Sequence, residues 1–115
     1  MPAVTLYGIS NCDTVKKARR WLDSHGVAYT FVDYRATPLT RRKIADWVTQ
    51  AGWEQLLNTR SRTWRELVDT DKQDIDSSKA IDLLCAHVTL IKRPVLESPR
   101  GLLIGFDTKA YADLG

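Results

Sequence analysis

The feature that most constrains the fold is a three-part pattern over residues 4–34: an alternating run, a helical period and a second apolar run. In the first part, Val4 and Leu6 point to one side of a predicted strand and Gly8 permits a turn after it. The helical period then brings apolar side chains to one face. These side chains belong to Val15, Ala18, Trp21 and Leu22.

The third part of the pattern predicts a second strand, which completes a β-α-β unit. Gly26 is a candidate C-cap, and residues 27–34 are rich in β-branched and aromatic side chains, which predicts a second strand. Parallel strands joined by a helix form a right-handed crossover. We therefore expect Cys12 at the carboxyl end of the first strand, where open α/β sheets bind ligands.

Cys12 lies where this helix begins, and that position predicts reactivity. Unpaired backbone N–H groups and the positive end of the helix dipole stabilise a thiolate over a thiol. The alternative is a small buried cysteine with a structural role, but the residues on both sides of Cys12 are polar, which favours a reactive thiol. Asn11 and Thr14 either donate hydrogen bonds to a thiolate or bound anion, or cap the helix.

The residues after Cys12 exclude two familiar thiol mechanisms. Position 15 is valine, so the chain has no Cys-x-x-Cys pair. Phosphatase-type anion loops place an arginine six positions after the nucleophile, where this chain has Ala18. Cys85 falls on the apolar stripe of a predicted helix and is expected in the core. An external thiol such as glutathione is the leading candidate to complete a cycle through a mixed disulfide.

The middle of the chain has the pattern of a helical segment. Thr40 is a candidate cap for a helix that ends at Gly52. Short helices are predicted over residues 53–57 and 64–68, followed by a longer one that Asp76, Ser77 or Ser78 can cap.

The end of the chain predicts a β-hairpin and a last helix. Residues 95–97 and 102–104 flank a turn with proline and glycine, and residues 108–114 form a helix that Asp107 can cap. The predicted fold is α/β and thioredoxin-like, with a mixed sheet in the order β-α-β then β-β-α. A helical insertion over about residues 40–88 interrupts a single domain, 1–115.

Composition limits the classes of partner. With 43% apolar residues among 115, the chain can bury one core. No stretch approaches the ~20 apolar residues that cross a bilayer, and no signal-peptide pattern begins the chain, so a cytoplasmic location without a membrane partner is expected. The net charge of +3 comes from dispersed cations, which favours small anions over nucleic acid. Neither histidine has metal-ligand spacing, so no metal site is expected.

Three segments together resemble the ArsC/Spx family, most closely its YffB-type branch of small proteins. They are residues 7–18 (YGISNCDTVKKA), 56–60 (LLNTR) and 91–94 (IKRP). The resemblance covers essentially the whole chain. It implies that Cys12 is the nucleophile, that Arg60 and Arg93 bind an anion beside it, and that Pro94 is the proline that is usually cis in this fold.

The resemblance also implies the reaction class and its partners. In the family's arsenate reductases, glutathione attacks the arseno-cysteine adduct and glutaredoxin completes the cycle. This chain lacks their third arginine, expected near residues 104–106, and the histidine before the cysteine. The predicted function is therefore a glutathione-dependent thiol/disulfide oxidoreductase that acts on a thiol or small oxyanion, with glutathione as co-substrate and no permanently bound cofactor. Arsenate reduction is one alternative.

The second alternative is a regulator. Spx-type relatives bind the carboxy-terminal domain of the RNA polymerase α subunit and respond to redox state through a Cys-x-x-Cys switch. Val15 breaks that switch in this chain.

Overall fold

The computed structural model describes residues 3–114 and has the predicted order of elements. Its strands and α-helices are β1 (Thr5–Gly8), α1 (Asp13–Ser24), β2 (Thr30–Asp33), α2 (Arg41–Ala51), α3 (Trp53–Leu56), α4 (Arg62–Glu66), α5 (Ser77–Ala86), β3 (Val95–Ser98), β4 (Gly101–Ile104) and α6 (Thr108–Tyr111). Short 3-10 helices cover Asp69–Lys72, Val88–Leu90 and Ala112–Leu114. Within residues 3–114, no helix has both the length and the apolar character that a membrane crossing requires.

The described residues form two compact units. The first contains the residues up to Pro38 and those from Arg93 onward, and the second contains Leu39–Lys92. The first unit holds the whole sheet with α1 and α6, whereas the second holds α2 to α5. The assignment of residues 1–115 to a single domain stays a prediction.

The four-stranded sheet of the first unit has the order β2-β1-β3-β4 and is mixed, as predicted. β1 pairs with β2 in parallel, with Gly8 opposite Asp33. On its other side β1 pairs antiparallel with β3, with Tyr7 opposite Val95. Because of these directions, the carboxyl ends of β1 and β2 and the start of β3 lie along one edge of the sheet.

The core of the first unit lies between the sheet and its helices. Leu6 of β1 and Leu96 of β3 are completely buried, and Ala18 and Leu22 of α1 pack against them. Trp21, predicted on the same helix face, is half-buried at the margin of this core. The apolar stripe of α1 therefore packs as its spacing predicts.

A close approach between β1 and α1 fixes the start of the helix. A Cβ atom added to Gly8 would lie 2.7 Å from Cγ2 of Val15, closer than van der Waals contact allows. Val15 is fully buried, and its β-branched side chain has little rotameric freedom in a helix. Gly8 therefore lets the first turn of α1 pack directly on the end of the strand.

The second unit is a group of helices in which α2 packs against α5. The predicted cap at Thr40 is confirmed, since its hydroxyl accepts from the Lys43 N–H at 3.1 Å. Of the three candidate caps of α5, the structure selects Asp76, whose carboxylate accepts from the Lys79 N–H at 2.8 Å. Gly52 ends α2 with φ +86°, as its conformational freedom permits.

The prediction that Cys85 lies in the core is wrong. α5 ends at Ala86, and its buried side chains are those of Ala80, Leu83 and Leu84. Cys85 lies at the margin of this face and is half-exposed. It sits beside Arg41 of α2, whose guanidinium pairs with Asp82 at 2.7 Å; Asp82, and more weakly Cys85, raise the pKa of Arg41.

We expect Gly8→Ala to destabilise the protein by about 1–3 kcal/mol, because the new methyl group overpacks against Val15. Denaturant unfolding measures this loss of free energy. In a Val15→Ala background, where the opposing methyl groups are absent, the same substitution should be less destabilising. An equal loss in both backgrounds would show that the contact does not limit position 8.

Candidate thiol active site

Cys12 is the N-cap residue of α1 and connects the end of β1 to the helix. Its backbone is extended, with φ −94° and ψ 127°, and its N–H donates to the Ile9 carbonyl at 3.1 Å. Its carbonyl accepts the first helical hydrogen bond, from the Lys16 N–H at 3.0 Å. The side chain makes no capping hydrogen bond and is half-exposed. The sulfur is therefore held at a helix N-terminus and can be reached by a reactant.

Asn11 and Thr14, the two predicted neighbours of the thiol, are both exposed. Of the alternatives that the sequence leaves open, the capping role for Asn11 is excluded, because the N-cap residue is Cys12 itself. Thr14 lies within the first turn of α1. Donation by either side chain to a thiolate or bound anion stays a prediction.

Asp33, which sequence analysis did not single out, ties the loop before Cys12 to the end of β2. Its Oδ2 accepts from the Ser10 N–H at 3.1 Å and its Oδ1 from the Arg35 N–H at 2.9 Å. These hydrogen bonds, that of Arg35 first, lower the pKa of the Asp33 carboxyl below its ordinary value of 3.8. The charged carboxylate thus holds two loops at the edge of the sheet where Cys12 lies.

Arg93 and Pro94 immediately precede β3 and therefore approach the same edge. The peptide bond between them is cis, as the family resemblance implies. Pro94 is buried and Arg93 is half-exposed. The strand register thus places Arg93 and Pro94 at the same edge of the sheet as the turn that carries Cys12.

Tyr34 is the second residue that sequence analysis did not identify. It follows β2 directly, its N–H donates to the Gly8 carbonyl at 3.1 Å, and only 2% of its surface is exposed. Burial strongly raises the pKa of its hydroxyl, while the nearby Arg93 guanidinium lowers it and the charges of Cys12 and Asp33 raise it slightly. The phenol is therefore within electrostatic range of the thiol and the arginine.

The positions of Tyr34 and Asp33 in the sequence could have identified both as candidate site residues. Both follow the second strand of the β-α-β unit, at the edge where Cys12 follows the first. Parallel strands place their carboxyl ends side by side, so polar residues after the second strand are candidates for the same site.

Arg60 belongs to the second unit, and its predicted convergence on Cys12 stays a prediction. A β-bridge between Leu57 and Ile91 holds its segment, and the Lys92 N–H donates to the Leu56 carbonyl at 2.7 Å. The exposed Arg60 lines a polar pocket of about 260 Å³ in this unit. The other residues lining the pocket are Glu54, Leu57, Asn58, Thr59 and Lys92.

Residues 3–114 contain no group of three or more histidine, cysteine, aspartate or glutamate side chains that could hold a metal ion. Both cysteines are free thiols. The candidate chemistry is that of the Cys12 sulfur.

Comparisons with known proteins agree with this architecture and cover nearly all of the chain. The solved structure of the YffB protein is 47% identical, with a TM-score of 0.93 over 96% of this chain and 97% of its own. An arsenate reductase (ArsC) related protein from Brucella melitensis is 42% identical, with a TM-score of 0.79 over 98% and 93%. The global transcriptional regulator Spx of Streptococcus pyogenes is 31% identical over 90% of this chain and 78% of its own.

These relatives include proteins named as arsenate reductase related and as regulators, so they share a fold and a family rather than one activity. The family model for ArsC matches residues 7–114, a span that contains β1, Cys12, Arg93 and the terminal hairpin. This chain therefore belongs to the ArsC family.

Proposed function

We propose that this protein is a glutathione-dependent thiol/disulfide oxidoreductase in which Cys12 is the nucleophile. The observation that carries the proposal is the position of the half-exposed Cys12 side chain at the N-terminus of a twelve-residue helix, where it makes no capping hydrogen bond. The strand next to β1 begins directly after Arg93, at the same edge of the sheet. Dipole and N–H groups at that terminus favour a thiolate. A thiolate is the species that attacks a disulfide.

The proposed cycle has two exchanges. In the first, the Cys12 thiolate attacks the glutathione sulfur of a glutathionylated thiol, the original disulfide breaks and the substrate leaves as its thiolate. In the second, a glutathione thiolate attacks the glutathione sulfur on Cys12, which yields oxidised glutathione and restores the Cys12 thiolate. The net reaction reduces the substrate and oxidises one added glutathione. Glutaredoxin could replace that glutathione as reductant.

The second thiol must come from outside the active-site turn. Position 15, where a Cys-x-x-Cys pair would have its second cysteine, holds a valine packed on Gly8. Glutathione suits this role because it carries a thiol and two carboxylates, and guanidinium groups bind carboxylates through paired hydrogen bonds. Arg93 supplies one such group at the sheet edge.

We expect oxidised glutathione to form a mixed disulfide on Cys12, detected by intact-mass and peptide mass spectrometry as one added glutathione. Cys12→Ser should lose both the adduct and the reduction of a glutathionylated peptide in a coupled assay. Cys85→Ser is the matched control and should retain both. No adduct on Cys12, or activity that survives Cys12→Ser, would refute the proposal.

Arg93→Ala and Arg60→Ala should each raise the KM for glutathione about tenfold or more and change kcat less, since a hydrogen bond to a charged group contributes about 1.5–3 kcal/mol. Steady-state kinetics at fixed ionic strength measures the split. Arg20→Ala removes the same charge from an exposed position on α1 and should leave KM unchanged. If all three variants raise KM equally, only the net charge matters and neither arginine binds the ligand.

The similarity to Spx, a global transcriptional regulator, favours a second candidate function, that of a regulator. The family resemblance implies that such a regulator binds the RNA polymerase α subunit. This candidate predicts that the immobilised carboxy-terminal domain of the subunit retains the protein. Because Val15 leaves no dithiol switch, oxidant should not alter the binding. Surface plasmon resonance with reduced and oxidised protein measures it, and Cys12→Ser should bind as the wild type does. No binding at micromolar concentrations would exclude this function.

A further inference from the structure

Among the residues that the structure describes, the Tyr34 hydroxyl is the buried side-chain polar group that lacks a hydrogen-bond partner. Buried hydroxyls are nearly always paired, because leaving one unpaired costs about 1–3 kcal/mol. Tyr34 is 2% exposed, so bulk water does not compensate. An unpaired buried donor beside a candidate active site therefore requires an explanation.

The backbone places Tyr34 beside the turn that carries Cys12. The Tyr34 N–H donates to the Gly8 carbonyl at 3.1 Å, and Cys12 lies four residues after Gly8 in the turn that leads into α1. Arg93 approaches from the other side of β1, at the start of β3. Tyr34, Cys12 and Arg93 thus follow or precede three adjacent strands at one edge of the sheet.

The chemistry of the neighbours restricts what Tyr34 can bind. The Arg93 guanidinium lowers the pKa of the phenol both through its charge and as a side-chain hydrogen-bond donor, but the contact falls short of full hydrogen-bond geometry. A guanidinium has no acceptor, so it cannot receive the Tyr34 O–H. Burial raises the pKa of the phenol more than Arg93 lowers it, so the phenol stays neutral and keeps its proton. The Tyr34 O–H is therefore a hydrogen-bond donor without an acceptor, and an anion in the site could accept from it.

We propose that Tyr34 is a catalytic hydrogen-bond donor to the Cys12 sulfur, and that it stabilises the Cys12 thiolate as it leaves during resolution of the mixed disulfide. Hydrogen bonds of this kind are often long in a resting site and shorten in the reacting complex. The inference rests on the proposed function, because it concerns the second exchange of that cycle.

The step it assists is a displacement at sulfur. The incoming glutathione thiolate forms a bond to the glutathione sulfur of the adduct, while the bond from that sulfur to Cys12 breaks. The electron pair of the broken bond passes to the Cys12 sulfur, which is reduced to a thiolate, and the incoming thiol is oxidised to the disulfide. A more stable leaving thiolate departs faster. The Tyr34 proton remains on the phenol throughout.

A second buried tyrosine in the same unit provides the matched control. Tyr111 is fully buried, and its hydroxyl donates to the Gly105 carbonyl at 3.4 Å. Burial raises the pKa of this hydroxyl as it does that of Tyr34, but no charged side chain contributes. Tyr111→Phe therefore removes a buried phenolic oxygen without removing a donor from the site.

The experiment measures the two exchanges separately in a Cys85→Ser background, where Cys12 is the remaining thiol. Quenched-flow mass spectrometry follows the attack of reduced protein on oxidised glutathione, and then the resolution of the preformed Cys12 adduct by glutathione. Tyr34→Phe should slow resolution by about tenfold to a hundredfold, as expected for a lost hydrogen bond to a charged group. The attack step should change less, because a less stabilised thiolate is also more nucleophilic. Tyr111→Phe should leave both rates unchanged.

Two results would overturn the inference. If Tyr34→Phe resolves the adduct at the wild-type rate, the hydroxyl does not assist departure of the Cys12 thiolate. If it slows both exchanges equally and lowers the melting temperature, the role of Tyr34 is structural only. In a second arm, Cys12 carries a mixed disulfide with 2-mercaptoethanol, and dithiothreitol is the reductant that resolves it. It tests Tyr34 even if wild-type protein forms no glutathione adduct, so failure of the proposed function is distinguished from failure of this inference.

Discussion

The contact between Gly8 and Val15 is the constraint on which the geometry of this site depends. With no side chain at position 8, the first turn of α1 packs on the last residue of β1, and the Val15 methyl groups fill the space that a Cβ atom would occupy. The helix can then begin at Asp13 after a turn of four residues, the last of which is its N-cap, Cys12. The same contact explains why a valine suits position 15: the side chain there is fully buried and serves packing.

The sheet converts this local arrangement into a site. A parallel neighbour on one side of β1 and an antiparallel neighbour on the other bring one strand's end, a second strand's end and a third strand's start to the same edge. The Asp33 carboxylate then fixes the loop before Cys12, because it accepts hydrogen bonds from the Ser10 and Arg35 N–H groups. Because backbone pairing sets these positions, substitutions of exposed neighbours such as Asn11 should leave the arrangement intact.

The sequence predicts those parts of the molecule that local rules determine. Caps at Thr40, Asp76 and Asp107 are found where predicted, because each side chain satisfies an N–H of its own first turn. Spacing also predicts the buried face of α1. It fails for Cys85, because which side of α5 is covered depends on where α2 packs rather than on the sequence of α5 alone.

For the site, too, the sequence predicts what local rules determine and misses what depends on tertiary packing. Cys12 is identifiable because a thiol at a strand-to-helix turn has a local meaning, and the cis bond at Pro94 follows from the family resemblance. Tyr34 has only a positional signal, because it follows the second strand of the β-α-β unit. Its sequence context is that of an ordinary strand end, and only the burial of its hydroxyl without a partner sets it apart. That property depends on the tertiary structure.

A neutral donor suits the proposed exchange for a reason that concerns both of its steps. The Cys12 sulfur is first a nucleophile and then a leaving group, and stabilising its thiolate slows the first role while it speeds the second. A second guanidinium at the position of Tyr34 would stabilise the thiolate in both steps and weaken its attack. A buried phenol forms a weaker hydrogen bond than a cation does, and it adds no charge beside Arg93. Such a donor can assist departure and still leave the thiolate able to attack.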